Sequence, residues 1–110
     1  MEIQELEGVT VISTDERLDA MVAPKLKEMV KKMSEKASTK LIIDLEKTKF
    51  IDSSGCGSLV AALRTLLKNR GDLKIARPSP QAKTLFQLTR LHRVFEIHDS
   101  LEEALKSFEK

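Results

Sequence analysis

Aromatic side chains are scarce in this sequence, which has no tryptophan or tyrosine and only four phenylalanines in 110 residues. Proteins that bind single-stranded nucleic acids stack bases on aromatic side chains, and their binding surfaces carry an excess of basic charge. Here 19 basic residues are balanced by 17 acidic ones, and the formal net charge is only +2. The composition therefore argues against direct binding of nucleic acid.

Cysteine occurs once, at Cys56, so an internal disulfide bond is not available. The N-terminal segment does not combine a basic start with an apolar stretch, as signal peptides do. No apolar run approaches the ~20 residues that a membrane-spanning helix needs. We therefore expect a cytoplasmic protein without a membrane span.

Glycine and proline are also few, and no repeat or low-complexity linker interrupts the chain. Apolar residues make up 41% and charged residues 33%, which is typical of a globular protein. A chain of this length supports one compact core and not two. We expect residues 1–110 to form a single domain.

Short apolar patterns predict alternating strands and helices. Residues 1–14 alternate like two strands joined by a turn, and a helix should start near residues 21–24, where Pro24 fits the first turn. The run KLIIDL, residues 40–45, is apolar without alternation, as in a strand covered on both faces. A helical pattern then runs from Cys56 to a stop at Gly71.

The second half continues the alternation. DLKIA, residues 72–76, and VFEI, residues 94–97, are predicted strands, and Ser79-Pro80 should start the helix between them. Ser100 and Glu103 form a capping-box pattern that opens a last helix. The order predicts an α/β fold with a mixed sheet of four to five strands, antiparallel at the start and otherwise mainly parallel, and about four helices.

The stretch FIDSSGCG, residues 50–57, separates a predicted strand from a predicted helix, where sites in such folds gather. Asp52 or Ser53 can cap the helix, and Ser54 falls in its first turn. Gly55 and Gly57 would allow another backbone to approach closely. A capped turn without further function remains one interpretation of this stretch.

Catalytic and ligand-binding motifs are missing. The chain has no G-x-S-x-G elbow, no G-x-x-x-x-G-K-[ST] loop and no G-x-G-x-x-G loop. Cys56, His92 and His98 lack the close pairing of zinc ligands, and Cys56 fits the apolar stripe of its helix. We therefore predict no enzyme activity, no cofactor and no metal.

Ser54 can instead be the substrate of a kinase. A phosphate adds about −1.5 to −2 charges, which the positive end of a helix tolerates. In a protein interface the same charge would be costly, particularly beside Asp52 and near Asp19. Phosphorylation would then switch the surface and leave the fold intact.

Three segments resemble the anti-sigma factor antagonists of the STAS domain family: LIIDLEKTKFIDSSGCGSL, SPQAKTLFQLTRLHRVFEI and RLD at residues 17–19. Together they cover nearly the whole chain, and the D-S-S-G turn after a phenylalanine is the most specific part. The resemblance implies a single STAS domain over residues 1–110. Departures are Glu16-Arg17, where Gly-Glu is usual, and Cys56, where a larger aliphatic residue is usual.

The resemblance also implies a function, which is partner switching. The unphosphorylated protein would bind an anti-sigma factor with serine kinase activity and free the sigma factor. The kinase would phosphorylate Ser54 and break the complex, and a serine phosphatase would restore it. Asp52, Ser53 and Gly55 would shape the turn that the kinase binds, with Asp19 nearby at the interface.

Two alternatives stay open. A STAS protein that is never phosphorylated could serve as a structural subunit of a transporter or a stress-signalling assembly, and in that case Ser54→Asp would leave partner binding intact. A nucleotide-binding or hydrolytic protein would instead lose binding or turnover when Ser54 or Gly55 is changed.

Overall fold

A mixed five-stranded sheet with helices on both faces forms the centre of the computed structural model, which describes residues 1–109. The strands are β1 (Glu2–Leu6), β2 (Val9–Ser13), β3 (Arg17–Leu18), β4 (Lys40–Asp44), β5 (Phe50–Ile51), β6 (Asp72–Ala76) and β7 (Ile97–His98). The helices are α1 (Ala23–Met33), α2 (Ser53–Lys68), α3 (Pro80–Leu88) and α4 (Leu101–Lys106), and a 3₁₀ turn covers Leu91–Arg93.

The main sheet has the strand order β1-β2-β4-β6-β7. The pair β1 and β2 is antiparallel, and every other neighbouring pair is parallel. The fold class, the five strands of the main sheet and the four helices are thus confirmed. Each helix of residues 1–109 is too short or too polar to reach across a lipid bilayer.

Strand β4 shows why the sheet is covered on both faces. Leu41 and Ile43 point into a core that α1, α2 and α3 cover, while Ile42 points into a second cluster with Ala104 of α4. Residues from Leu41 to Leu45 are all buried. The absence of alternation in this run therefore predicted its place correctly.

Two short strands were not predicted from the sequence. Strands β3 and β5 pair with each other in parallel, with Leu18 opposite Ile51, and form a separate two-stranded sheet. The stretch FIDSSGCG therefore begins with β5, and its D-S-S-G turn follows β5 and not the main-sheet strand β4. Two residues are too few to show a periodic pattern, so only the pairing reveals these strands.

The predicted strand VFEI, residues 94–97, is wrong in its bounds. Val94 closes the 3₁₀ turn, its backbone N–H donating to the carbonyl of Leu91 at 2.9 Å, and the strand begins only at Ile97. Phe95 is buried in the core without being part of a strand. Phe95 is therefore apolar because it packs in the core, and not because it belongs to a strand.

The end of α2 also differs from the prediction that Gly71 stops the helix. The left-handed residue that follows the end of the helix is Arg70, with φ of 63°, and not Gly71. Gly71 is needed for another reason, because a Cβ there would lie 2.5 Å from the carbonyl oxygen of Thr39. The glycine therefore permits a close backbone approach.

Lys74, a buried residue of β6, links the end of helix α4 to the sheet. Its ammonium donates to the carbonyl and the hydroxyl of Ser107 at 2.9 and 2.8 Å and lies 3.0 Å from the Glu96 carboxylate. The hydrogen bond from His98, followed by that from Lys74, lowers the pKa of Glu96 to about 2. The buried cation is thus fully partnered.

Candidate functional site

Asp52 caps helix α2 and so begins the candidate site. Its backbone is extended, and its carboxylate Oδ1 accepts a hydrogen bond from the backbone N–H of Gly55 at 2.9 Å. Its carbonyl accepts the first helical bond, from Cys56, at 3.0 Å. Of the two candidates for the cap, Asp52 and Ser53, the structure selects Asp52.

Ser53 and Ser54 are the first two residues of α2, and both are exposed. Neither hydroxyl has a hydrogen-bond partner among residues 1–109. Ser58, one turn further along the helix, is buried and donates to the carbonyl of Gly55 at 2.6 Å. The two exposed hydroxyls are therefore accessible and hold no structural hydrogen bond, whereas the buried one does.

Gly55 presses the first turn of α2 against strand β3. A Cβ at this position would collide with the carbonyl oxygen of Leu18 and would lie 2.9 Å from Cγ2 of Ile51. Gly57 is different, since a Cβ there would meet nothing within 4 Å. The expectation of close approach is right for Gly55 and wrong for Gly57.

Asp19 lies beside this turn, because Leu18 pairs with Ile51 in the small sheet. The backbone N–H of Asp52 donates to the carbonyl of Leu18 at 3.4 Å, so Asp19 and Asp52 follow neighbouring strand ends. The Asp19 carboxylate accepts hydrogen bonds from Nε of Arg17 and from the backbone N–H of Met21, both at 3.1 Å. The bond from Arg17 is the main cause that lowers the pKa of Asp19.

Arg17 belongs to the site although sequence reasoning gave it no role. Besides binding Asp19, its guanidinium lies 4.4 Å from the centroid of the Phe50 ring, a cation–π geometry. Arg17 also lies directly opposite Phe50 in the strand pair. The only hint in the sequence was that Glu16-Arg17 departs from the usual Gly-Glu pair.

Gln81 of α3 supports the other side of the turn and was also missed. Its side-chain amide accepts from the N–H of Ile51 at 3.0 Å and donates to the carbonyl of Ile51 at 2.8 Å. The side-chain amide thus makes the two hydrogen bonds to Ile51 that a neighbouring strand would make at the edge of β5. No pattern in the sequence indicates this contact, because it joins residues thirty positions apart.

The cysteine and the two histidines have different surroundings. Cys56 is buried, and burial, together with the charge of Asp52, raises the pKa of its thiol. His92 is exposed, whereas His98 is half-buried and lies 2.7 Å from the Glu96 carboxylate. Residues 1–109 contain no group of three or more side chains placed to bind a metal ion.

Comparison with known proteins identifies the family. The family model of the STAS domain matches residues 1–104. An anti-sigma-B factor antagonist of Listeria monocytogenes is 34% identical over 80 residues, which cover 73% of this chain and 70% of the relative. An anti-sigma-B factor antagonist of Staphylococcus aureus is 28% identical over 85 residues, covering 77% and 79%.

Solved structures agree with this assignment. An anti-sigma factor antagonist from Mycobacterium paratuberculosis is 26% identical with a TM-score of 0.87, covering 99% of this chain and 92% of that one. The Bacillus cell fate determinant SpoIIAA in its phosphorylated form shares the fold, with 24% identity, a TM-score of 0.75 and 96% of both chains covered. The chain therefore belongs to the STAS domain family, and the two curated relatives named above are anti-sigma-B factor antagonists.

Proposed function

We propose that this chain is an anti-sigma factor antagonist, formed by a single STAS domain over residues 1–110, and that it acts by binding and not by catalysis. Its unphosphorylated form binds an anti-sigma factor with serine kinase activity and thereby frees a sigma factor. Phosphorylation of Ser54 breaks that complex, and a serine phosphatase restores the binding form. One observation carries the proposal: the Ser54 hydroxyl is exposed on a turn that Asp52 already caps.

The geometry of the turn supports a modification that leaves the fold unchanged. The cap of α2 is the Asp52 carboxylate, so no structural hydrogen bond is lost when Ser54 is modified. A phosphate at the second residue of α2 also lies at the positive end of the helix dipole. We therefore expect the domain to stay folded when Ser54 carries a phosphate.

The charges around the turn support loss of the complex on phosphorylation. Asp52 immediately precedes the serine pair, and Asp19 lies at the end of the paired strand β3. A dianion added here joins the carboxylates of Asp52 and Asp19, of which, among residues 1–109, only Asp19 is paired with a cation, Arg17. A partner that packs on this surface would have to desolvate the phosphate and tolerate the repulsion, which costs several kcal/mol.

The related proteins support the same function. The Listeria monocytogenes and Staphylococcus aureus relatives are anti-sigma-B factor antagonists, and the Bacillus SpoIIAA structure is of a phosphorylated form. Sequence similarity to the first two extends across the D-S-S-G turn and most of the chain. We transfer from them the class of partner, an anti-sigma factor.

A capture experiment tests the proposal. Wild-type protein, Ser54→Asp and Ser54→Asn serve as baits in a lysate of the organism that encodes the chain, with ADP and magnesium added. Asn has the size of Asp without its charge, so it is the matched control. We expect an ATPase-type partner to be retained by wild type and Ser54→Asn, lost with Ser54→Asp, and identified by mass spectrometry.

Equal retention of the same partners by all three baits would contradict partner switching and favour a STAS subunit that is never phosphorylated. The site assignment is tested separately, by incubating the captured kinase with ATP and either wild type or Ser54→Ala. Full phosphate incorporation into Ser54→Ala would show that another residue is the acceptor.

A further inference from the structure

A groove of about 470 Å³ lies between helices α1 and α2, toward their C-terminal ends. Its lining begins beyond the Ser54 turn: Ala61 follows Ser54 by about two turns of α2, roughly 10 Å along the helix axis, and Thr65 by about three turns, roughly 16 Å. The lining residues are Lys27, Lys31, Ser34, Ala61, Ala62, Thr65, Lys68 and Asn69.

The floor of the groove is small and apolar. Ala61 and Ala62 leave room above the helix backbone, and Thr65 turns its hydroxyl back to the carbonyl of Ala61 at 2.9 Å. At one end the side-chain amide of Asn69 donates to the carbonyl of Ser34 and so ties the ends of the two helices together. The polar groups of the floor are thus satisfied within the protein.

The rim, in contrast, carries three lysines, Lys27, Lys31 and Lys68. None of them has an ion-pair partner among residues 1–109, and neither have Lys25 and Lys32 on the other face of α1. What distinguishes the three rim lysines is that they converge on one groove. Lysine side chains can line a groove with their stems while the ammonium groups stay at its edge. The groove therefore combines an apolar floor with three uncompensated positive charges.

We propose that this groove binds an acidic amphipathic segment of a partner protein. Carboxylates of the segment would pair with the three ammonium groups, and its small apolar side chains would pack on Ala61 and Ala62. Because no residue of the D-S-S-G turn lines the groove, we expect the contact to persist in both phosphorylation states. The chain would thus have a second, constitutive binding surface beyond the switch described above.

Two other polyanions fit the groove less well. Nucleic acid is bound by broad basic surfaces with arginine and aromatic groups, but the lining has neither and the whole chain carries a net charge of only +2. A membrane-binding surface inserts large apolar side chains beside its lysines. Here the apolar part is the recessed surface of two alanines.

A titration of the ¹⁵N-labelled full chain tests the proposal by NMR. The probe is a synthetic helical peptide of about four turns, with glutamates on one face and alanines on the other. Its control is the same peptide with glutamine in place of each glutamate. We expect the glutamate peptide alone to shift the amides of Ala61, Ala62, Thr65 and Asn69, with an affinity that falls as salt is added.

Paired charge reversals on α1 locate the contact. Lys27→Glu with Lys31→Glu removes two rim charges, while Lys25→Glu with Lys32→Glu makes the same change on the exposed face of the same helix. We expect the first pair to weaken binding at least about tenfold, or ~1.4 kcal/mol, and the second pair less than about twofold. Thermal melts establish that each variant is folded, and a Lys27→Gln, Lys31→Gln pair replaces the reversal if it is not.

The proposal is overturned if the glutamate peptide causes no shifts in the groove, or if both peptides cause equal ones. It is equally overturned if the control reversal weakens binding as much, or if duplex DNA or phosphatidylglycerol vesicles bind the groove more tightly than the peptide. Ser54→Asp should leave peptide binding unchanged. Since the probe is synthetic, this test does not depend on partner switching through Ser54.

Discussion

Helices α2 and α3 both begin at a capped turn after a strand, yet they use serine in opposite ways. In α3 the hydroxyl of Ser79 is itself the cap and accepts from the backbone N–H of Ala82 at 3.1 Å. In α2 a carboxylate, Asp52, does this work. Because the cap is supplied by aspartate, the hydroxyls of Ser53 and Ser54 are left exposed, so one serine site is structural and the other is available for modification.

The surroundings of the two turns differ in the same sense. The first turn of α3 is bound to strand β5, since Gln81 makes two hydrogen bonds to Ile51. The first turn of α2 is held from below, where Gly55 contacts strand β3, and is open above, where both serines are exposed. A rigid base under an open surface would let the proposed phosphorylation of Ser54 occur without disturbing the fold.

Gly55→Ala should have the largest effect on this arrangement. The added methyl group would collide with the Leu18 carbonyl, a backbone atom that cannot move without disturbing the β3–β5 pair, so we expect a loss of about 1–3 kcal/mol in the free energy of unfolding. Urea unfolding measures it. Gly57→Ala is the control and should be neutral or stabilising, by up to about 1 kcal/mol, because its site is open. Equal losses for both would contradict the contact.

The caps of α2 and α3 should contribute similar amounts to the free energy of unfolding. Asp52→Ala and Ser79→Ala each leave a backbone N–H without its partner, and each should lower the free energy of unfolding by about 1 kcal/mol. Asp52→Asn keeps a capping oxygen and should cost less than Asp52→Ala. If thermal melts show Asp52→Ala to be neutral, then Asp52 is not the group that caps α2.

Ser54→Ala should have the smallest effect on stability. Its hydroxyl makes no hydrogen bond among residues 1–109, so we expect a change within about 0.5 kcal/mol by urea unfolding. The comparison with Ser79→Ala is direct, since both remove one hydroxyl from the start of a helix. A loss near 1 kcal/mol for Ser54→Ala would mean that this serine is structural like Ser79.

The sequence by itself determined the features that depend on neighbouring residues. The helix starts at Ser79-Pro80 and Ser100, the buried strand β4 and the burial of Cys56 were all predicted correctly. Caps and periodic patterns involve residues a few positions apart, and their hydrogen bonds and faces follow from local geometry. The accessible Ser54 hydroxyl in a capped turn could likewise be predicted from neighbouring residues.

Only the tertiary structure decided which distant residues share the site. Strands β3 and β5 exist because they pair with each other, and that pairing places Asp19 and Arg17 beside the turn that follows Phe50. The bonds from Gln81 to Ile51 likewise depend on how α3 packs. Each of these contacts joins residues about thirty positions apart, and its energy is realised only when the core has assembled, so no local pattern records it.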